Sequence, residues 1–142
     1  MGRALAPLRQ DGVLIIGSGS LTHDLSEFRG HGPNDPAPDW VDAFADWFHS
    51  ALTTGKTGDL LDYRRRAPFA IKNHPSAEHL LPLYVALGAA GANARAERLH
   101  ASSTYSVLRM DVYGFTALNE SARSESSQTK ESVGHAGSLA NT

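Results

Sequence analysis

The chain has 142 residues, no cysteine and a formal net charge of −2 at pH 7. This length suits one domain with a core of its own. The absence of cysteine excludes disulfides, thiolate metal sites and cysteine nucleophiles, so any metal must be held by imidazole and carboxylate groups. The small charge gives no general attraction to nucleic acid or to an anionic membrane. Since no apolar run is long enough to cross a bilayer and the first residues lack a signal-peptide core, we expect a cytoplasmic protein.

The first third of the sequence predicts a short helix, a buried strand and two loops. Residues 2–10 have a helical pattern. Residues 13–16 (VLII) form a continuous apolar run, which is typical of a strand buried in an α/β sheet. Residues 17–20 (GSGS) then form a flexible loop, and residues 30–38, with three prolines, predict an irregular loop.

The middle of the sequence predicts three helices. Apolar and aromatic residues recur at helical spacing from 40 to 52, and Asp39 precedes them as a candidate cap. Residues 59–66 predict a short amphipathic helix that ends in three arginines. The third helix is expected to begin at Pro75, where a missing N–H donor costs nothing, and to be buried over the apolar stretch 80–90.

The last part predicts two strands and a tail. The strands are expected over 95–101 and 105–113. Residues 119–142 are rich in Ser, Glu and Thr and contain no aromatic residue, so they cannot bury enough apolar area to offset chain entropy and predict a disordered tail. We therefore expect one domain over 1–118, with an α/β fold in which a partial mixed sheet is flanked by helices. A strand so early in the chain has few elements to cover it, so either the sheet is very small or another piece of protein completes it.

Residues 73–79 (NHPSAEH) place two histidines and a carboxylate close together. His74 and His79 are five residues apart, whereas two residues on one helical face are three or four apart. They are therefore not expected to bind one metal from a single regular helix. His79 is equally well interpreted as a metal ligand or as a partly buried structural histidine, and His74 is better interpreted as a capping or supporting group. Glu78 has the side chain of a metal ligand, but charge complementarity at a helix start explains it as well.

His23 follows the predicted strand at its carboxyl end, where open α/β sheets bind ligands. The alternative, a surface loop histidine, has about equal weight. The preceding 17–20 loop lacks the third glycine of a dinucleotide fingerprint and the Gly-Lys-Ser/Thr of a phosphate-binding loop, so its glycines are expected to allow a sharp turn. His100, at the end of a predicted strand, is a weaker candidate for a supporting role.

Three segments, in this order, resemble the C-terminal half of class III extradiol ring-cleavage dioxygenases, specifically the DOPA 4,5-dioxygenase-like branch. They are GRALAPLRQDGVLIIGSGSLTHDL, NHPSAEHLLPLYVALGAAG and YSVLRMDVYGF. The resemblance runs from about Gly2 to Phe115. It implies the C-terminal portion of that family's α/β fold, a non-haem Fe(II) that is often replaced by Zn(II), and a reaction in which O2 opens the ring of a catechol next to its two hydroxyls.

The resemblance also implies roles for particular residues. It places His23 at the metal centre as acid and base towards the catechol, and His79 as the C-terminal metal ligand. His74 and His100 would support the ligands, and Tyr105 would touch the substrate. These residue types suit the chemistry, because an imidazole can take a catechol proton near neutral pH and a metal that binds catechol and O2 must keep positions open.

The family's remaining two ligands are histidines of an N-terminal half that is not among these 142 residues. Because a metal held only by His23 and His79 is under-coordinated, we expect this polypeptide alone to bind Fe(II) weakly and to have little dioxygenase activity. Its partners would be a small catechol and O2, together with an N-terminal half or further copies in a homo-oligomer. The alternative is a non-catalytic α/β fragment that keeps a weak zinc site or a partner-binding surface.

Overall fold

The computed structural model of the protein describes residues 1–117. The predicted tail, 119–142, and the predicted domain end at residue 118 lie outside the described residues. In chain order the elements are α1 (Gly2–Leu5), a 3-10 helix (Ala6–Asp11), α2 (Asp39–Thr53), α3 (Thr57–Leu61), α4 (Tyr63–Arg66), α5 (Ala70–Asn73), α6 (Leu81–Ala90), β1 (Ala94–His100), β2 (Ser103–Thr104), β3 (Leu108–Arg109) and β4 (Val112–Ala117). In this part of the chain no helix is long and apolar enough to cross a membrane.

Helix α2 is the centre of the core. Its apolar residues recur every three or four positions, so they form one stripe that packs inward. Phe44 and Phe48 are completely buried on that stripe, against Tyr63 and Leu60. The predicted helix over 40–52 is confirmed. Asp39, expected as the cap, is instead the first helical residue, where its charge complements the positive end of the helix dipole.

The strands form two small antiparallel pairs, so the α/β class with a partial sheet and flanking helices is confirmed. β1 pairs with β4, with Ala96 opposite Phe115 and a bulge between Arg98 and His100. β2 pairs with β3. The prediction of a single strand over 105–113 is wrong, because Tyr105 and Ser106 have positive φ angles of 48° and 66° and reverse the chain between β2 and β3.

The prediction of a buried strand over 13–16 is also wrong. The segment has no strand partner among residues 1–117, and the side chains of Leu14 and Ile16 are 80% and 77% exposed. An apolar run predicts a buried strand only where neighbours cover both of its faces, and the described elements leave this segment open on one side.

The start of the third predicted helix is misplaced. Pro75 lies in a bend, and α6 begins at Leu81 with Pro82 in its first turn, where the missing N–H costs nothing. The helix is mostly half-buried, with Ala89 and Ala90 fully buried at its end. The predicted helix over 59–66 divides into α3 and α4 at Asp62.

Candidate functional site

The loop that carries His23 is held by backbone hydrogen bonds to two other segments. The N–H of Ser20 donates to the carbonyl oxygen of His79 over 2.8 Å, and the N–H of His23 donates to that of Asn73, also over 2.8 Å. These bonds join residues 20–23 to the end of α5 and to the turn before α6. The main chain of His23 is therefore fixed relative to His79.

The rings of His23 and His79 lie directly against each other. Their centroids are 3.5 Å apart and their planes differ by 13°, so the imidazoles are stacked. His23 is half-buried and His79 is exposed. The structure thus brings together the two histidines that the resemblance assigns to a metal centre, and both can be reached from solvent on one side.

The two glycines of the 17–20 loop allow its backbone to approach α6 closely. A Cβ atom on Gly19 would lie 2.2 Å from the carbonyl oxygen of His79, and one on Gly17 would lie 2.2 Å from that of Pro82. Neither glycine has a positive φ angle. The expectation that they allow a sharp turn is therefore wrong: they are needed because any side chain would push the loop away from His79.

His74 is completely buried behind this loop. Its Nε2 lies 2.7 Å from the carbonyl oxygen of Leu21 and donates to it when protonated. Burial is the main cause that lowers the pKa of His74, which the backbone bonds to Leu21 and Ser76 oppose, so the ring is neutral near pH 7. His74 therefore contacts the backbone that carries His23.

Thr22 connects the same loop to the β2–β3 hairpin. Its Oγ1 donates to the carbonyl oxygen of Val107 over 2.7 Å and accepts from the N–H of Arg109 over 2.9 Å. Sequence reasoning missed Thr22 and Asn73, although both are next to histidines that it selected. No sequence signal reveals the hydroxyl contacts, because their partners are 85 and 87 residues away along the chain.

Glu78 adds a negative charge beside the stacked pair. A hydrogen bond from the Ser76 side chain is the main cause that lowers the pKa of Glu78, and the nearby His79 and His23 act in the same direction. The residue is exposed. It lies three residues before Leu81, where α6 begins, so complementarity to the start of that helix also accounts for it.

The other two predicted site residues lie apart from the pair. His100 is exposed at the end of β1 and its Nε2 lies 2.8 Å from Ser102 Oγ. The ring of Tyr105 packs against Phe28 at a centroid distance of 4.7 Å. No direct contact within residues 1–117 joins either residue to the stacked histidines, and their supporting and substrate-binding roles stay predictions.

A largely apolar groove of about 630 Å³ adjoins the site. Its walls are the open segment 13–21, one face of α6 and the strand β4, with His79 and Arg109 among the polar residues that line it. The exposed apolar side chains of residues 13–16 therefore belong to this groove.

Ion pairs hold Arg109 and Asp111, two polar residues that line the groove together with His79. The side chain of Asp111 is completely buried, with an Oδ1 3.0 Å from Nε of Arg109 and an Oδ2 3.6 Å from a guanidinium nitrogen of Arg98. Arg109 also contacts Asp42 over 3.0 Å. Sequence analysis did not identify this cluster, which needs the hairpin to bring its members together.

The imidazoles of His23 and His79 are suitable ligands for a zinc or iron ion in their type but not in their number. Imidazole is a ligand that both metals accept. Residues 1–117 contain no group of three or more His, Cys, Asp or Glu side chains placed to hold a metal ion. The stacked pair thus offers at most two ligands, and because nitrogen lone pairs lie in the ring planes, the two nearly parallel rings do not converge on one point.

Comparison with known proteins identifies the protein family of the chain. The profile of the family described as the catalytic LigB subunit of aromatic ring-opening dioxygenase matches residues 1–116, and the chain belongs to this family. The resemblance seen in the sequence is thereby confirmed.

Particular relatives narrow the class. The chain is 43% identical over 118 residues to a 4,5-DOPA dioxygenase extradiol of Beta vulgaris and 44% identical over 117 residues to one of Mirabilis jalapa. Each match covers 82% of this chain and 43% of the relative, so the chain spans less than half the length of these relatives. A crystal structure of the uncharacterized protein JW3007 from Escherichia coli K12 has a TM-score of 0.65 and 28% identity, covering 79% of this chain and 46% of that one.

Proposed function

We propose that this chain provides catalytic residues of a metal-dependent extradiol dioxygenase that opens the ring of a catechol with O2. The observation that carries the proposal is the stacked pair of His23 and His79, in a chain that belongs to an aromatic ring-opening dioxygenase family. The relatives from Beta vulgaris and Mirabilis jalapa are named for DOPA, which is itself a catechol, so we propose a DOPA-like catechol as substrate.

The two histidines have different roles in this proposal. His79 is exposed and serves as the metal ligand, whereas His23 is half-buried beside it and moves a proton. A neutral His23 imidazole accepts the proton of a catechol hydroxyl and later returns a proton to the opened product, as a general base and then a general acid. When bound, Fe(II) or Zn(II) would hold the two catechol oxygens, and Fe(II) would also supply the redox chemistry with O2.

The surrounding residues orient this pair. His74 donates to the carbonyl of Leu21, and Asn73 accepts the N–H of His23, so the loop has little freedom to move. The apolar groove beside His79 would accept the ring of the substrate or a further polypeptide segment.

We further propose that additional metal ligands come from a segment outside residues 1–117. The stacked pair supplies at most two ligands, and the longer relatives contain more than twice the matched length. The exposed side chains of Leu14 and Ile16 give such a segment an apolar wall to pack on.

Metal content and turnover of the purified chain test both proposals. The chain is prepared alone and co-expressed with the N-terminal portion of the Beta vulgaris relative, and each preparation is assayed for bound Fe and Zn and for conversion of DOPA to a yellow semialdehyde. We expect little metal and little turnover from the chain alone, and both to rise in the co-expressed preparation. A His79→Ala variant of the co-expressed preparation should lose both again.

Two outcomes would contradict the proposals separately. Full metal content and turnover from the chain alone would show that it needs no ligands from elsewhere. Absence of turnover in both preparations, with zinc or the N-terminal portion still bound, would instead favour a non-catalytic binding role, the alternative that the exposed Leu14 and Ile16 support.

A further inference from the structure

We propose that Thr22 is a positioning residue that sets the orientation of His23 against His79. The inference rests on the proposed function only for its catalytic consequence, because the orientation itself is measurable without activity. Thr22 precedes His23 directly, and its side chain is 0% exposed.

The Thr22 hydroxyl is both a hydrogen-bond donor and a hydrogen-bond acceptor. Oγ1 donates to the carbonyl oxygen of Val107 over 2.7 Å and accepts the N–H of Arg109 over 2.9 Å. The carbonyl oxygen of Thr22 in turn accepts from the Ser20 hydroxyl over 2.6 Å. One side chain therefore joins the histidine loop to β3, through Arg109, and to the residue just before it, Val107.

The hairpin to which Thr22 is bound is itself fixed. The Arg109 guanidinium contacts the buried carboxylate of Asp111 and the carboxylate of Asp42, each over 3.0 Å. Asp42 belongs to α2, the central helix of the core. The hairpin therefore fixes the position of Thr22 relative to the core. Because the Thr22 hydroxyl both donates and accepts, it also restricts the backbone of the next residue, His23.

The other restraints on the loop act on the main chain. The bond from the His23 N–H to Asn73 and the bond from Ser20 to His79 fix the backbone on one side. Thr22 fixes the loop through its side chain to a different element, the β2–β3 hairpin. Without the hydroxyl, the carbonyl of Val107 and the N–H of Arg109 would be left unpaired at a buried and a partly buried position, so the hairpin and the loop would separate to hydrate them. The ring of His23 would then leave the stack.

The experiment compares Thr22→Val, Thr22→Ala and Thr22→Ser in the full chain with Thr104→Val as a matched control. Thr104 lies on the same hairpin, and its Oγ1 donates to Pro33 over 3.1 Å, away from the histidine loop. The first measurement is the nuclear Overhauser effect between the ring protons of His23 and His79. We expect it to be lost in Thr22→Val and Thr22→Ala, and to be retained in Thr22→Ser and Thr104→Val.

The second measurement is kcat and KM for DOPA in the preparation co-expressed with the N-terminal portion of the Beta vulgaris relative. We expect Thr22→Val to lower kcat about 10-fold or more, as loss of a group that orients a site residue does, with KM nearly unchanged. Thr22→Ser should recover most of kcat.

A ring-to-ring signal of wild-type strength in a folded Thr22→Val chain would overturn the proposal. If Thr22→Val does not fold, the nuclear Overhauser effect between the two rings is measured in Thr22→Ala instead, because alanine adds no bulk. A wild-type signal there would likewise overturn the proposal. Should wild-type protein show no turnover in any preparation, the proposed function fails, while the ring-to-ring signal still decides the role of Thr22.

Discussion

The rings of His23 and His79 stack at a centroid distance of 3.5 Å with an interplanar angle of 13°. Nearly parallel imidazoles direct their nitrogen lone pairs along nearly parallel lines, so the two rings in this arrangement do not coordinate one metal ion together. Since His79 is exposed and His23 is half-buried, the arrangement favours one ligand and one proton-transfer group over two equal ligands.

This division of roles predicts different losses for His79→Ala and His23→Gln. In the co-expressed preparation, His79→Ala should weaken metal binding about 10-fold or more. His23→Gln should keep the metal but lower kcat by about 10²-fold or more, because general acid–base catalysis is removed. Metal titration and turnover measure the two effects, with His100→Gln as a control. Equal loss of metal in both variants would contradict the division.

The close approach of Gly19 to the carbonyl oxygen of His79 predicts a large effect of one methyl group. Gly19→Ala should lower the free energy of unfolding by about 1–3 kcal/mol, because the new Cβ would lie 2.2 Å from that oxygen. Gly58→Ala is the control: its Cβ would meet nothing within 4 Å in helix α3, so it should raise stability by about 0.4–1 kcal/mol. Chemical denaturation checks both values, and equal effects would refute the steric argument.

The buried His74 predicts a loss of stability in acid. Burial lowers its pKa below the 6.5 of an unfolded histidine, so the unfolded chain binds a proton at a higher pH than the folded chain does. The contribution of His74 is therefore fully present above pH 6.5, decreases as the pH falls below 6.5, and stops changing below the folded-state pKa. Melting temperatures between about pH 8 and about pH 5 should fall less steeply in His74→Asn than in wild type, while the exposed His100→Asn keeps the wild-type slope. Parallel slopes for wild type and His74→Asn would exclude His74 as the cause.

The buried carboxylate of Asp111 predicts that the stability of the chain depends strongly on this one charge. Asp111→Ala should cost about 3–5 kcal/mol, because Arg109 and Arg98 would lose the partner that is 0% exposed. Asp62→Ala, which removes a carboxylate paired with the exposed Arg65, should cost only about 0–1 kcal/mol. Urea unfolding of both variants measures the difference.

The open segment 13–16 predicts association through its apolar wall. Leu14→Lys should change the free energy of unfolding by less than about 0.5 kcal/mol, because the side chain is 80% exposed. It should nevertheless weaken self-association or co-purification with the N-terminal portion of the Beta vulgaris relative. Leu61→Lys, also largely exposed at 72% but outside the groove, should leave both unchanged. Sedimentation velocity and co-purification measure the outcome, and unchanged association of Leu14→Lys would remove the groove as an interface.

Local patterns predicted the elements that depend on local spacing. The apolar stripe of α2 and the strand β1 could be located because period and turn residues are visible within a few positions. The pattern at residues 13–16 failed because a buried strand is defined by neighbours that the described chain does not place around it. The strand expected over 105–113 failed because positive φ angles at Tyr105 and Ser106, both unusual for these residues, reverse the chain.

The candidate site was only partly visible in the sequence for a related reason. His23 and His79 could each be selected by motif, but their stacking depends on bonds between segments about fifty residues apart, such as that from His74 Nε2 to the carbonyl oxygen of Leu21. Thr22 belongs to no recognisable motif, and its hydrogen bonds to Val107 and Arg109 are visible only in the folded hairpin.

The long-range bonds of residues 20–23 also have a kinetic consequence. Leu21 reaches a partner 53 residues away and Thr22 reaches partners 85 and 87 residues away, so the entropy of closing large loops must be overcome before these bonds form. Helix α2, with its short-range bonds, can form early, whereas the histidine loop locks only after the hairpin and α5 are present. In native-state hydrogen exchange, the amide of His23 should therefore open before those in the centre of α2, and the site would be lost before α2 under mild denaturing conditions.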